Sequence, residues 1–151
     1  MTLPEIDRDY IKTGKLKYVF HDLPLESIHK QAFKAHEAAH CAGDQGKYWE
    51  MHDRIFAQQN KLRPQDLSQH AESIGLDMTA FGTCLSSGKH SAAIRADVEE
   101  ADRVGIRGTP TFLLGRTGPD GATVEAVEII RGAQPYSQFK QAFERLLTAK
   151  E

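Results

Sequence analysis

The sequence predicts an α/β protein in which a block of helices is inserted between a helix–strand segment and a hairpin–helix segment. Two observations support this fold class. Apolar residues recur at helical spacing from Ser27 to about Val104. Two short apolar runs then follow, 111–114 and 124–130, with a Gly/Pro turn between them. Together with an apolar run near the start of the chain, they indicate a sheet that is interrupted by a helical insertion.

The composition is that of one globular domain with a hydrophobic core. The 151 residues are 40% hydrophobic and 26% charged, with a formal net charge of −2. Because both signs of charge are interspersed, there is no basic stripe for nucleic acid and no polybasic anchor for lipid. We therefore expect no nucleic-acid partner and no membrane partner. Residues 1–7 have neither the positive start nor the apolar centre of a signal peptide.

The opening residues predict the end of a helix followed by a strand. Four apolar residues recur at helical spacing, and Gly14 stands where a left-handed C-terminal cap belongs. These apolar residues are Leu3, Ile6, Tyr10 and Ile11. An aromatic and aliphatic run, Leu16–Phe20, is ended by a turn at residues 22–24 and predicts a strand. A helix-then-strand start is the second half of a βαβ unit, so we expect the N-terminal part of the fold to be incomplete.

Five short helices are predicted in the middle of the chain. They are separated by Gly43 and Gly46, by Arg63–Pro64, by Gly75 and by Gly88. Pro64 at a first helical position and Asp77 as an N-cap mark two of the helix starts. The large side chains expected in their core are those of Trp49, Ile55, Phe56, Phe81 and Leu85. Trp49 and Met51 could instead line a peptide groove.

The last part of the chain predicts a hairpin and an amphipathic helix. The strands are Thr111 to Leu114 and Val124 to Ile130, joined by a turn at residues 118–121. Pro135 opens the final helix. Its apolar face consists of Phe139, Phe143, Leu146 and Leu147.

The loop before the hairpin, Arg107–Pro110, is a candidate functional site. Pro110 can open a strand because its missing N–H costs nothing at the first position. A cis Thr109–Pro110 bond would turn the backbone groups of Arg107 to Thr109 outward, where they can pair with an extended peptide. Frequency alone favours a trans bond, because only about one in twenty X–Pro bonds in folded proteins is cis.

The two cysteines, Cys41 and Cys84, are too far apart in sequence to form a local CxxC dithiol. Three interpretations stay open: a structural disulfide, two buried thiols, or a redox pair. The redox pair is the weakest of the three. Redox thiolates usually lie at helix N-termini, whereas Cys41 is near a predicted helix C-terminus, where the dipole raises the pKa of a thiol.

Residues 36–40, His-Glu-Ala-Ala-His, form an HExxH pattern on a predicted helix. Two histidines four apart share a helix face and could hold Zn²⁺, with Glu37 activating a bound water. A catalytic zinc site needs a third protein ligand. The position where one peptidase group supplies that ligand is Gly46, and Asp44 is two residues away from it. We therefore expect no zinc or other metal bound to this chain, and a zinc peptidase is kept as an alternative.

Four segments are similar in order and spacing to the bacterial DsbA-like thiol:disulfide oxidoreductases, which have a thioredoxin fold. They are residues 15–25 (KLKYVFHDLPL), 39–53 (AHCAGDQGKYWEMHD), 81–89 (FGTCLSSGK) and the proline loop 105–112 (GIRGTPTF). They are distributed over residues 15–112, so the region that they span is most of the chain. The departure is large, because that family carries a strand followed by a CxxC pair at a helix start, and nothing in this sequence matches either.

The resemblance implies a thioredoxin-like fold with a helical insertion, incomplete at its N-terminus. Its parts would be a partial thioredoxin fold over residues 1–26, the insertion over 27–104, and the proline loop, hairpin and last helix over 105–151. The resemblance also implies disulfide exchange on periplasmic or other extracytoplasmic proteins, without a cofactor.

The same resemblance implies roles for particular residues. Arg107, Thr109 and Pro110 would hold a substrate peptide, with a cis Thr109–Pro110 bond, and Cys41 and Cys84 would be paired. Because CxxC is absent, we assign no catalytic residue and expect no oxidase or reductase activity from this chain as written. The rival hypothesis is a non-catalytic peptide-binding remnant. We also expect the position of the missing strand to be filled, either by a homodimer that lends a strand or helix or by direct pairing of the two flanking strands, with low stability as the third outcome.

Overall fold

The computed structural model describes residues 2–121 and 123–149. It divides the chain into two compact units, one formed by Met1–Phe20 with Arg107–Glu151 and the other by His21–Ile106. In chain order the elements are α1 (Thr2–Ile6), a π-helical turn (Asp7–Ile11), α2 (Ala32–Gly43), α3 (Tyr48–Ala57), α4 (Pro64–Ser73), α5 (Met78–Ser87), α6 (Ser91–Arg103), β1 (Thr111–Thr117), β2 (Val124–Arg131) and α7 (Tyr136–Thr148).

The helical unit contains five helices, and their ends follow from local chemistry. Pro64 occupies the first turn of α4, where its missing N–H leaves no bond unmade. The carboxylate of Asp77 accepts a hydrogen bond from the Ala80 N–H at 2.9 Å and caps α5. Gly88 ends α5 in the left-handed conformation, at φ +65°. The predicted breaks and both predicted helix starts are confirmed.

The core of the helical unit is built on α2. This helix buries small residues, which let its neighbours approach closely: Ala35, Ala38, Ala39, Cys41 and Ala42. Helices α3, α4, α5 and α6 all contact it. The bulk is supplied by Met51, Leu67 and Phe81, which are all fully buried. Met51 is therefore a core residue, and it does not line a groove.

Two of the large aromatic residues assigned to this core lie at the surface instead. The side chains of Trp49 and Phe56 are 45% and 52% exposed. Both rings pack against His52, with centroid distances of 5.2 and 4.5 Å. The prediction was wrong because three- and four-residue spacing places these rings on one face of α3 but does not say whether another element covers that face.

The second unit has its own core between the hairpin and two helices. The residues that fill it are Ile6, Tyr10, Leu114, Ile130, Phe139, Ala142 and Phe143. The ring of Tyr10 meets Phe143 edge to face at 4.9 Å, and its hydroxyl donates a hydrogen bond to Glu144 at 2.6 Å. This pair attaches the π-helical turn to α7.

The predicted strand at Leu16–Phe20 is not formed. Its side chains alternate as in a strand, with Leu16, Tyr18 and Phe20 half-buried and Lys17 and Val19 exposed. Within residues 2–121 and 123–149, however, the sheet consists of β1 and β2 alone. A strand requires a ladder of backbone hydrogen bonds to a neighbouring strand, which alternation of side chains does not by itself supply.

A bulge bends the hairpin where β1 carries a glycine. Leu114 pairs with Glu128 and Gly115 with Ala126, which leaves Val127 as an extra residue in β2. A Cβ at position 115 would lie only 2.1 Å from the carbonyl oxygen of Glu125. Glycine is therefore required at this position by the close approach of the opposite backbone.

We expect Gly115→Ala to lower the free energy of unfolding by more than about 2 kcal/mol, because backbone atoms cannot move aside for the added methyl group. Gly82→Ala is the matched control. Gly82 lies inside α5 with open space around it, so alanine there should stabilise by about 0.5–1 kcal/mol. Urea denaturation followed by circular dichroism measures both variants. Equal effects of the two substitutions would contradict the account of the bulge.

Candidate functional site

The proline loop leaves α6 and enters β1 with its residues exposed. Arg107, Gly108, Thr109 and Pro110 are all solvent-exposed. The Thr109–Pro110 peptide bond is cis. The structure therefore places the three predicted substrate-binding residues, Arg107, Thr109 and Pro110, on one exposed turn.

The hydrogen bonds of the loop leave one residue unpaired. The Pro110 carbonyl accepts from the Gly132 N–H at 2.8 Å, which continues the β1–β2 ladder. The Thr111 hydroxyl donates to the Gly108 carbonyl at 2.7 Å. Within residues 2–121 and 123–149, the backbone N–H and C=O of Thr109 have no hydrogen-bond partner. They are one donor and one acceptor at an exposed position next to a strand, and groups of this kind can pair with an extended peptide.

Cys41 and Cys84 form a disulfide that joins α2 to α5, with their Cα atoms 5.8 Å apart. Cys41 is 1% exposed and lies in the last turn of α2, and Cys84 lies in the second half of α5. Neither sulfur is at a helix N-terminus, where the dipole would favour a thiolate.

The HExxH histidines bind a carboxylate of their own chain. His36 Nδ1 lies 2.5 Å and His40 Nε2 lies 2.6 Å from the two oxygens of Asp22, whose side chain is 4% exposed. The Asp22 N–H in turn donates to Asp97 in α6 at 2.8 Å. The two imidazoles and this carboxylate therefore link the segment before α2 to α2 itself.

The glutamate of the same motif is also paired. Glu37 is buried and accepts a hydrogen bond from Lys34 Nζ at 2.6 Å and another from the Ser91 hydroxyl. The catalytic arrangement would need this carboxylate to face a metal-bound water. In the structure it connects α2 with the first residue of α6.

This network changes the proton affinity of its members. Burial by itself would raise the pKa of Asp22, but the hydrogen bonds from His36 and His40 outweigh it and hold the pKa of this carboxyl well below its usual range. The hydrogen bond to Asp22 raises the pKa of His40 against the opposing effect of burial. The structure thus contains a buried carboxylate whose charge favours a protonated His40.

Sequence reasoning missed Asp22, and it considered a second carboxylate, Asp44, only as a misplaced zinc ligand. Asp44 lies just past the end of α2 and contacts Lys89 and His90 at 2.8 and 2.9 Å. Both carboxylates find partners many residues away, and so periodicity gives no sign of either. The sequence feature that could have indicated Asp22 is the histidine pair at 36 and 40. Imidazoles on one helix face usually bind a carboxylate, a carbonyl or a metal.

Comparison with known proteins identifies the class. The sequence matches the family model described as Thioredoxin over residues 1–145, and the chain belongs to this family. The structure superimposes on the crystal structure of alpha-DsbA1 from Wolbachia pipientis with a TM-score of 0.80 and 25% sequence identity. That similarity covers 97% of this chain and 75% of that chain, and within the family this chain is DsbA-like.

Curated relatives with higher identity are much longer proteins. The chain is 42% identical over 113 residues to Na⁺/H⁺ antiporter NhaA 1 of Salinispora arenicola, covering 74% of this chain and 17% of the antiporter. It is 41% identical over 125 residues to Na⁺/H⁺ antiporter NhaA 3 of Salinispora tropica. This match covers 82% of this chain and 19% of the antiporter. The chain therefore spans less than a fifth of these relatives. Among the described residues, the helices are too short or too polar to span a bilayer.

We expect Asp22→Asn to lower the free energy of unfolding by about 2–4 kcal/mol near pH 5.5 and by less near pH 8. The pKa of His40 is raised in the folded state, so the ionic part of its bond to Asp22 is fully present below the ordinary histidine pKa and fades as pH rises through the raised value. The pKa of Asp22 is lowered, so this carboxylate stays ionised across the whole interval.

Chemical denaturation of the wild-type protein and the variant at both pH values measures the effect. Asp53→Asn is a matched control, because Asp53 also contacts a histidine, at 3.0 Å, but its side chain is 78% exposed. Its substitution should change stability by less than about 0.5 kcal/mol at either pH. A loss at Asp22 that is independent of pH would contradict the ionic interpretation.

Proposed function

We propose that this chain binds extended segments of protein substrates at the proline loop, as the substrate-holding part of a DsbA-like thiol:disulfide oxidoreductase. The observation that carries the proposal is the exposed backbone of Thr109, with an unpaired N–H and an unpaired C=O. A peptide strand that pairs there forms two backbone hydrogen bonds without regard to its side chains. This suits an enzyme class that acts on many different proteins.

The geometry predicts weak and sequence-tolerant binding. A hydrogen bond contributes about 0.5–1.5 kcal/mol net, so two of them alone give low affinity. The side chains of Thr109 and Pro110 are exposed, which leaves room for a peptide to approach the backbone closely. In this proposal Arg107 and Pro110 border the bound peptide, and Thr109 pairs with it.

Thiol:disulfide exchange needs a thiolate beside this loop, and the 151 residues do not supply one. Their two cysteines are bonded to each other, and Cys41 is buried. The attacking dithiol would have to come from another segment or from a partner protein. We therefore expect no turnover of protein disulfides by these residues alone. We place the activity in an oxidising, extracytoplasmic compartment such as the periplasm, where a Cys41–Cys84 disulfide would persist.

Two substitutions at position 109 test the peptide-binding proposal. Thr109→Pro removes the N–H and should weaken binding about twofold to tenfold, whereas Thr109→Ala keeps both backbone groups and should bind like the wild-type protein. The measurement is NMR titration with an extended, disulfide-free peptide, in which the backbone amide shifts of Gly108 and Thr111 report binding in all three proteins. Equal losses in both variants, or shifts confined to other residues, would reject Thr109 as the pairing residue.

A second candidate function is self-association through the hairpin. On the hairpin face opposite the core, Leu113 pairs with Ile129, and both side chains are nearly half exposed. Val127 at the bulge is more exposed still. In the proposed dimer, the hairpin of a second copy covers this apolar face, so that neither chain leaves these three side chains in water.

Light scattering of the wild-type protein and of Ile129→Lys tests the dimer. We expect a wild-type dimer and a monomeric variant, because a charged side chain cannot be buried in an apolar contact without a partner. Leu147→Lys is the control, since Leu147 is equally exposed but lies on α7. A monomeric wild-type protein, or loss of the dimer in the control alone, would exclude association through this face.

A further inference from the structure

We propose that reduction of the Cys41–Cys84 disulfide creates a zinc site whose ligands are the two thiolates, His90 and Asp44. The two sulfur atoms and one ring nitrogen of His90 lie within 4.8 Å of one another. Thiolate and imidazole are the preferred protein ligands of Zn²⁺. These residues are distinct from the histidines of the HExxH pattern.

Asp44 supplies the fourth ligand. Its Oδ2 atom lies 2.9 Å from His90 Nε2 and 3.4 Å from Cys84 Sγ. Tetrahedral zinc, with bonds of about 2.3 Å to sulfur and about 2.0–2.2 Å to nitrogen and oxygen, holds its ligand atoms roughly 3.3–3.8 Å apart. The 3.4 Å between Asp44 and Cys84 lies within this range, and the 2.9 Å between Asp44 and His90 has to lengthen slightly for both atoms to bind one ion.

The ligands are held by elements that the core fixes in position. Cys41 is in the last turn of α2, Asp44 directly follows that helix, and Cys84 is in α5. His90 immediately precedes α6, and its ring stacks on His40 with 5.2 Å between centroids. The Cα atoms of the two cysteines are 5.8 Å apart, so the separated thiolates can chelate one ion by side-chain rotation.

The charges also balance. Two thiolates and one carboxylate carry −3, and Zn²⁺ leaves a net charge of −1 on the site. The ammonium group of Lys89, 2.8 Å from Asp44, compensates for this charge. His40 and His36 do not compete for the ion, because both rings are engaged with Asp22.

The chemistry is a two-electron reduction followed by metal binding. A small dithiol or a phosphine supplies two electrons, the S–S bond breaks, and two protons from water give two thiols. Binding of Zn²⁺ then releases both thiol protons to solvent as the two Zn–S bonds form. The metal replaces the covalent link between α2 and α5 and shields the thiols, so that the helical unit is cross-linked in both redox states.

The test compares two forms of the same protein. The oxidised protein and protein reduced with a phosphine under anaerobic conditions are titrated with Zn²⁺ in competition with a chromogenic chelator. We expect one zinc ion per reduced chain and binding at least about 100-fold weaker to the oxidised chain. Co²⁺ bound to the reduced form should show thiolate-to-metal charge-transfer absorption, which a site made only of histidine and carboxylate cannot give.

Substitutions then assign the ligands. His90→Ala and Asp44→Asn should each weaken zinc binding to the reduced protein by about 10–100-fold. His29→Ala, at an exposed position in the same unit, should leave it unchanged. Equal zinc affinity of the two redox forms, or a cobalt complex without charge-transfer absorption, would overturn the proposal. Unchanged binding in both ligand variants would do the same.

Discussion

Close packing on α2 is the constraint on which the helical unit depends. Apart from Glu37, its buried residues are small, so four other helices can lie against this one helix. A larger side chain at any of the buried alanines would push a neighbour away and open a gap elsewhere. The polar and sulfur-bearing residues of α2 then bind particular segments of the chain to this helix. The two histidines hold Asp22, Glu37 holds Ser91, and Cys41 holds Cys84. Apolar packing sets the distances between the helices, and these directed bonds set how the attached segments align with α2.

Local chemistry made most of the fold predictable from the sequence. The ends of the helices could be found from the sequence without knowing what the helices pack against. They are set by residues that affect only the neighbouring four positions or so: glycine at positive φ, proline at a first helical position and aspartate at an N-cap. Features that depend on distant residues were missed. Leu16–Phe20 has strand alternation, but alternation does not show whether a neighbouring strand lies beside the segment. The side chains at 36, 37 and 40 match a zinc motif, but Asp22 and Ser91 occupy them.

Fold and function rest on different observations in this protein. The family model and the similarity to alpha-DsbA1 establish a DsbA-like thioredoxin fold. A fold of this kind supports several activities, and the residues at the site decide among them. Here the unpaired backbone of Thr109 supports peptide binding, while the positions of Cys41 and Cys84 favour a structural role over catalysis. The proline loop could be named from the sequence because its residues are contiguous. The group around Asp44 could not, because folding assembles it from three separate segments.

The helical unit interrupts the other unit in sequence, and this determines which parts of the protein can fold first during synthesis. Thr2–Phe20 pack with residues that follow position 106, and the bond from Tyr10 to Glu144 spans 134 positions. At a translation rate of about 5–20 residues per second, the first segment leaves the ribosome roughly 5–20 s before its partner is made. The helical unit is formed by one continuous segment, residues 21–106, so its own chain is complete before that partner is made. Nascent chains would therefore contain a folded helical unit while the N-terminal segment still lacks the hairpin and the last helix that it packs against. The apolar residues of that segment are the ones that a chaperone would cover.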